Sequence, residues 1–441
     1  MNLLFISLGC DKNRVDSEVM LGLLAQKGYQ LVDDEQEADV IVINTCCFIH
    51  DAMEESIQTI LEMAQYRKEG RAKALVVTGC LAQRYQEEIL REIPEVDMVL
   101  GTTAYDQIVD AIEEALQGGQ EVRLKDVDAL PLVEDERIVT TGGHYAYLKI
   151  AEGCDKHCTY CIIPSLRGGY RSVPIERLVK EAETLAGEGV RELILVAQET
   201  TLYGVDLYGK KSLPDLLRKL CQIDGIRWIR LLYCYPEEIG GDLIQVMKEE
   251  EKICHYLDLP IQHANDDILK RMGRRTTKAE LTGLIRKLKE EIPDIALRTT
   301  LITGFPGESE AQHEELMAFV DEMEFDRLGV FTYSQEEGTP AAKMPDQIPE
   351  EVKEERGDAL MELQSEVSQD LSQDMVGKVM DVFIEGKVAD EDTYVGRTYR
   401  DAPDVDGLIF IDTPEELITG DFVKVKVTGA SEYDLIGELI S

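Results

Sequence analysis

Tyr145-Ala146-Tyr147-Leu148-Lys149-Ile150-Ala151-Glu152-Gly153-Cys154-Asp155-Lys156-His157-Cys158-Thr159-Tyr160-Cys161 joins an apolar run to three closely spaced cysteines. The run reads as a buried strand of the parallel type. Residues placed directly after such a strand lie at the carboxyl edge of a sheet, where open α/β sheets and (β/α) barrels bind what they act on. Five more strand-like runs follow, at Glu192–Ala197, Trp228–Tyr233, Tyr256–Leu259, Leu297–Ile302 and Leu328–Tyr333. Helical patterns fill the gaps; Pro174 suits a first helical position, with Ile175–Gly187 behind it. Six β/α units over 143–371 predict a partial, (β/α)6 version of the eight-fold barrel. Lys353–Leu363 suits a helix on the outside of that barrel.

Upstream, residues 1–117 alternate strand and helix. Leu3–Ser7, Val40–Asn44, Ala74–Thr78 and Met98–Leu100 are short apolar runs. One helix is expected after Asp16, a good N-cap, up to Gly28; others are expected at Asp51–Glu69 and Tyr105–Leu116. This order predicts a doubly wound open parallel sheet. Gly118, Gly119, Pro131, Gly142 and Gly143 punctuate a linker over 118–142. From 372 to 441 the period switches to two, with turn residues between short β-rich runs. That pattern predicts a small antiparallel β-barrel of five strands. The fold class is therefore multidomain α/β with an all-β tail.

The chain has 441 residues, with 46 Lys+Arg against 87 Asp+Glu, a formal net charge of −41. Counterion release on a phosphate backbone needs Lys and Arg, so direct nucleic-acid binding is not expected to dominate. No apolar run reaches the ~18 residues of a membrane span. Met1–Cys10 has neither a basic n-region nor a small-residue cleavage site, which predicts a cytoplasmic protein. In that compartment ten cysteines are not a disulfide framework.

Cys154, Cys158 and Cys161 offer three thiolates from one loop. Three thiolates bind three irons of a 4Fe–4S cube and leave the fourth open. The open iron is free to chelate the amino and carboxylate groups of S-adenosylmethionine (SAM). The alternative is a zinc site completed by Cys254 or a histidine. Cys10, Cys46 and Cys80 share another placement, each following one of the first three apolar runs. Three parallel strands would deliver one thiol apiece to one sheet edge, a second set for a cube with an open iron; the alternative is three unrelated buried thiols. Cys47 is expected to point away, and Cys221, Cys234 and Cys254 to be core thiols.

Weaker signals surround these. Gly304-Phe305-Pro306-Gly307-Glu308 follows the fifth barrel strand and either approaches a ligand or makes a plain turn. Gln198 and Glu199 end the second barrel strand, His263 ends the fourth, and Arg298 points either into the barrel or onto a carboxylate.

Across its whole length the chain resembles the methylthiotransferase branch of the radical SAM enzymes. The cysteine loop continues as Ile162-Ile163-Pro164-Ser165-Leu166-Arg167-Gly168, and Gly9-Cys10-Asp11-Lys12-Asn13, Asn44-Thr45-Cys46 and Gly79-Cys80-Leu81 are similar to family wording. The tail resembles a TRAM barrel. Within the branch, Trp228–Pro236, Tyr256–Asn265, Val330–Thr339, Asp401–Gly407 and Glu432–Leu435 are most similar to enzymes acting on ribosomal protein uS12. Asp11 and Cys47 depart from the usual proline and glycine. The resemblance implies two 4Fe–4S clusters, on Cys10/Cys46/Cys80 and on Cys154/Cys158/Cys161. It implies a SAM pocket that includes Tyr160, Gln198, Gly304, Gly307 and Glu308. It also implies transfer of a methylthio group to the β-carbon of an aspartate of uS12, free or on the small ribosomal subunit, with a flavodoxin- or ferredoxin-type electron donor. The alternatives are methylthiolation of a tRNA adenosine and a non-catalytic iron–sulfur or zinc protein. Between Met375 and Ser441 six basic residues face fifteen acidic ones, a net −9. An RNA-gripping barrel should be basic; an acidic one, with Asp401, Asp404 and Asp406 as representative acids, complements a basic protein.

Overall fold

The computed structural model describes every residue except 132, 134–136, 390 and 441, so parts of the 118–142 linker and Asp390 of the tail lie outside the described residues. The chain forms two compact units that cut it differently from the sequence segments. The first comprises Met1–Gly142, Ala151–Ser172 and Ser334–Ala342; the second comprises Gly143–Ile150, Val173–Tyr333 and Lys343–Ser441.

The first unit is built on six parallel strands in the spatial order Gln30–Leu31, Asn2–Ser7, Val40–Thr45, Ala74–Gly79, Met98–Leu100 and Glu121–Arg123. Its central strands are buried on both faces, which explains their unbroken Val/Ile/Leu runs. Ile41, Ile43, Leu75 and Val77 face a core containing Ile60 and Met63 of the helix His50–Glu69. Val40, Val42, Ala74 and Val76 face the helices Asp11–Gln26 and Ile108–Ala115. The sheet is thus doubly wound, with its carboxyl ends gathered on one edge. The last strand comes from the expected linker, whose later part is also tied down. Glu18, buried in the first helix, accepts from Arg137 Nη1 at 2.5 Å and from Thr140 N at 2.7 Å.

The first helix starts at Asp11, not after Asp16. Asp16 lies inside it with a buried carboxylate that accepts from Arg167 Nη1 at 2.7 Å. A long-range ion pair has overridden a local capping preference.

The second unit holds six parallel strands in simple chain order, from Tyr145–Lys149 through Glu192–Val196, Trp228–Leu231, Ile253–Asp258 and Ala296–Thr303 to Arg327–Thr332. It is an open (β/α)6 half-barrel. The long helix Glu350–Gln373 lies against the last strand, with Lys353 Nζ donating to Tyr333 O at 2.8 Å and Gln364 Nε2 to Phe325 O at 2.8 Å. A covered edge cannot recruit a foreign strand. The tail closes into a barrel of five strands, Val379–Lys387, Thr393–Arg397, Ile409–Asp412, Leu435–Leu439 and Phe422–Ala430 in ring order. All neighbours run antiparallel except Ile409–Asp412 and Leu435–Leu439. A ring with an odd number of strands cannot alternate direction throughout, so one parallel pair is obligatory.

Buried ion pairs fix this barrel to the half-barrel sheet. Glu192 accepts from Arg230 Nε at 2.7 Å and from Arg397 Nη2 at 2.6 Å, all three side chains being almost wholly inaccessible. Arg298 resolves onto carboxylates, Asp258 at 3.1 Å and Asp406 at 3.3 Å, and Tyr256 donates to Asp406 at 2.7 Å. Asp401 accepts from Arg327 Nη2 at 2.6 Å and from Thr398 Oγ1 at 2.7 Å. Two of the three acids expected to face a basic partner are therefore internal clamps, and only Asp404 is exposed. Stripped of its buried charges, the barrel still shows nine exposed acidic residues against four exposed lysines among the described residues.

Removing one partner of a buried pair strands the other charge, which costs roughly 3–5 kcal/mol. Asp401→Ala is expected to destabilise the chain by about that amount, whereas Glu416→Ala, at an exposed acid of the same barrel, should stay within about 0.5 kcal/mol of the parent. Denaturant midpoints of the two variants measure the difference; equal midpoints would show that Asp401 is not a clamp.

Candidate functional site

Both cysteine triads lie in the first unit. In the parallel register Ser7 stands beside Asn44 and Thr45 beside Gly79, so the three strand ends that lead to Cys10, Cys46 and Cys80 are side by side. Gly9 and Gly79 make the approach possible. Gly9 has φ +88°, and a Cβ there would come within 2.6 Å of Cys46 Cβ and 2.9 Å of Cys46 Sγ. Gly79 has φ +92°, and a Cβ would meet Thr45 O at 2.5 Å and press on Asn44 Oδ1. Side-chain amides lace the loops together. Asn13 Nδ2 donates to Leu8 O at 3.0 Å and to Thr45 O at 2.8 Å, while Asn44 Nδ2 donates to Asn13 O and to Ser17 Oγ, both at 2.9 Å. Ser56 brackets Cys46, its Oγ accepting from Cys46 N at 3.0 Å and donating to Cys46 O at 2.8 Å.

The three thiols act on one another. Burial pushes the Cys46 thiol up to about 12, and the neighbouring Cys80 and Cys10 push it the same way. Cys80 is also raised by burial, opposed by the charge of the Arg167 guanidinium. Cys10 is the exposed member of the set. Cys47 is buried in the same apolar core as Cys80, with Ile60 and Leu75, rather than turned away from the set as expected; burial, then the neighbouring Cys80, raises its thiol.

The second triad sits on a stapled loop. The strand pair Ala151–Glu152 and Arg171–Ser172 closes its base, Cys154 N donates to Gly168 O at 3.1 Å, and Cys161 N donates to Cys158 O at 3.0 Å. Gly153, at φ +79°, lies so close to Gly168 and Gly169 that no side chain fits. The helix Ile163–Arg167 follows, with Pro164 in its first turn and Gly168 at φ +74° ending it. Burial raises the Cys161 thiol to about 12, with the Cys158 and Cys154 charges adding to the rise. Cys46, Cys80 and Cys161 therefore resist ionisation in bare protein, as suits ligands whose negative charge is to be balanced by iron. No three His, Cys, Asp or Glu side chains among the described residues converge closely enough for a single ion. Each set offers three thiols, the donor number and chemistry of a cube with one open iron.

The remaining sequence candidates are scattered. Tyr160 lies in the turn between Cys158 and Cys161, in the first unit. Gln198 is half-buried just past the strand Glu192–Val196, in the second. Gly304 and Gly307 both have positive φ, and their open sides are filled by Lys353 and by the Arg271 guanidinium. Glu308 is buried, accepting from Arg356 Nη1 at 3.1 Å and from Phe305 N at 3.2 Å, with His263 Nε2 at 3.7 Å and His313 Nδ1 at 3.8 Å. Burial lowers His263 to about 3, so its ring is neutral; its Nδ1 accepts from Asn265 N at 2.9 Å. Cys221, Cys234 and Cys254 are buried, as expected of core thiols.

Sequence reasoning passed over Arg167, which is buried against the first triad, and its partners Asn13, Asp16 and Glu152. The available signal was an arginine locked between a short apolar helix and a glycine, with acids standing inside otherwise buried elements.

Comparison with known proteins matches residues 2–101 to Uncharacterized protein family UPF0004, 148–320 to the Radical SAM superfamily and 376–440 to the TRAM domain. The ribosomal protein uS12 methylthiotransferase RimO of Lachnoclostridium phytofermentans is 65% identical over 437 residues, covering 99% of each chain. The protein of the same name from Desulfitobacterium hafniense is 51% identical over 438 residues, covering 99% of this chain and 98% of that one. Among solved structures, the radical S-adenosylmethionine methyltransferase TsrM from Kitasatospora setae, with cobalamin and a 4Fe–4S cluster bound, aligns with TM-score 0.56 at 13% identity. The alignment covers 77% of this chain and 73% of that one, a likeness of fold alone.

Gly79 holds a conformation open essentially to glycine, where a side chain costs of order 1–3 kcal/mol before any clash is counted. Gly79→Ala should therefore lower stability by at least that much and reduce the iron bound after reconstitution, read by denaturant melts and iron assay. A variant with parent stability and iron content would show that the close strand approach is dispensable.

Proposed function

The chain belongs to the family of ribosomal protein uS12 methylthiotransferases within the radical SAM enzymes, and from that membership we propose that it replaces a hydrogen on the β-carbon of a uS12 aspartate with a methylthio group, using two 4Fe–4S clusters and two SAM molecules. The observation that carries this reading is the pair of buried thiol triads. Cys10, Cys46 and Cys80 would hold one cube, and Cys154, Cys158 and Cys161 the other. Bound there together with SAM, the second cube would supply one-electron radical chemistry, which suits the acceptor because a β-carbon hydrogen is too weakly acidic for acid–base chemistry.

This chain's residues prepare that chemistry in three ways. The stapled loop fixes Cys154, Cys158 and Cys161 before any cofactor arrives, so little ordering is left to binding. The laced strand ends do the same for Cys10, Cys46 and Cys80. Tyr160 beside the second triad, and Gln198 with the Gly304–Glu308 turn at the carboxyl ends of the half-barrel strands, are the residues proposed to meet SAM. Residues 1–117 would serve the first cube, 143–371 the SAM chemistry, and 372–441 the acceptor. The barrel's exposed acidic excess suits a basic ribosomal protein and repels tRNA. The electron would come from a flavodoxin- or ferredoxin-type donor. A ribosomal acceptor supports a cytoplasmic setting for the proposed reaction; no helix among the described residues is long and apolar enough to cross a membrane.

Anaerobic reconstitution tests the two sets separately. Cys158→Ala should lose 5′-deoxyadenosine formation, while the triple change Cys10→Ala, Cys46→Ala and Cys80→Ala should keep it and lose methylthio transfer. Cys47→Ala should behave as the parent. Product formation by the triple variant at the parent rate would remove the first triad from the reaction.

The acceptor is tested by offering purified enzyme both uS12 and tRNA, with mass spectrometry of each. Modified uS12, and binding to it that weakens as salt rises past the ~8 Å Debye length of physiological buffer, are expected. Modified tRNA with untouched uS12 would overturn the assignment.

A further inference from the structure

We propose that Arg167, carried on the segment of the second cysteine triad, is a positioning residue for the first: it orients the Asn13 amide so that Asn13 braces the Cys10 and Cys46 loops. The proposal rests on the two-cube reading above and adds a residue to it.

Arg167 follows Cys161 by six positions and is 2% exposed. Its Nη1 donates to Asp16 Oδ2 at 2.7 Å and to Glu152 Oε2 at 3.2 Å, and its Nη2 donates to Asn13 Oδ1. The last contact decides the orientation of an amide. With Oδ1 turned to the guanidinium, Asn13 Nδ2 must face the other way, where it donates to both Leu8 O and Thr45 O. Those carbonyls lie on the turns that present Cys10 and Cys46. A flipped amide would set an oxygen against two carbonyls and an NH2 against a cation, so Arg167 enforces the bracing orientation.

Asp16 and Glu152 hold the fork from behind, fixing its plane, which is what a planar donor needs to serve several partners at once. The Cys10 and Cys46 loops are thus braced through one side chain from the segment that carries the second triad.

The test uses the full chain carrying Cys154→Ala, Cys158→Ala and Cys161→Ala, reconstituted anaerobically so that only the first triad can hold a cube. Iron per chain and its rate of loss to a chelator are measured with and without Arg167→Gln, each with Asn13 intact and with Asn13→Ala. With Asn13 intact the glutamine variant should lose iron several-fold faster; in the Asn13→Ala background it should add little, because the brace is already gone. If the glutamine variant does not fold, Arg167→Lys decides: lysine keeps a cation for Asp16 and Glu152 but lacks the planar fork that also reaches Asn13, so a smaller effect is expected. Unchanged iron loss in the variant that folds, or equal effects in both backgrounds, would overturn the proposal. A parent background that binds no cube would overturn the two-cube reading and the proposal with it.

Discussion

Clustered thiols at the edge of a parallel sheet impose the governing constraint on this molecule. Sulfurs close enough to share a cube repel one another once ionised, and burial adds to the difficulty, as the raised Cys46, Cys80 and Cys161 thiols show. In the bare protein other features must therefore hold them together. Glycines that admit close strand approach, amides that lace the loops and a buried guanidinium all serve that end. The parallel register does the coarse placement, since each strand ends at nearly the same level as its neighbour.

Charge plays a different part in the second unit. There, arginines and carboxylates are matched across the contact between the half-barrel sheet and the small barrel, as Glu192 with Arg230 and Arg397 shows. Buried pairs of this kind add little net stability over apolar packing but punish misalignment severely. The observed pattern thus fixes how the small barrel is seated. It also means that a net charge read from composition overstates what a partner would meet, because Asp401 and Asp406 spend their charge internally.

Much of this was legible in the sequence, for identifiable reasons. Runs such as Val40–Asn44 and Glu192–Ala197 are bounded and apolar, so both parallel sheets could be read from local pattern. Cys10, Cys46 and Cys80 could be grouped because strand ends in a parallel sheet converge by topology alone. Long-range pairing left no such trace. Asp16 resembles a cap until its partner, 151 positions away, is known. Asp401 resembles a surface acid until Arg327 is seen beside it. The Gly304–Glu308 turn announces close packing without saying whether a ligand or a protein side chain fills the space, and Lys353 and Arg271 fill part of it.

The compact units explain why the cluster sites resist a strictly linear reading. The strand Tyr145–Lys149 belongs to one unit, while the loop from Ala151 onward belongs to the other, beside the first triad's sheet. The chain returns to that unit once more at Ser334–Ala342. This short return touches both cysteine-bearing regions: Glu336 accepts from Arg84 Nη1 at 2.9 Å on the helix that begins with Cys80, and Ala341 N donates to Thr159 O at 2.9 Å between Cys158 and Cys161. Arg167 makes the other connection, from the far side of the same loop. Two crossings from sequence-distant segments therefore fix one triad relative to the other within a single packed body. Under the proposed two-cube reading that rigidity serves the chemistry, because loosely held centres would let a substrate radical meet solvent or protein before its intended partner.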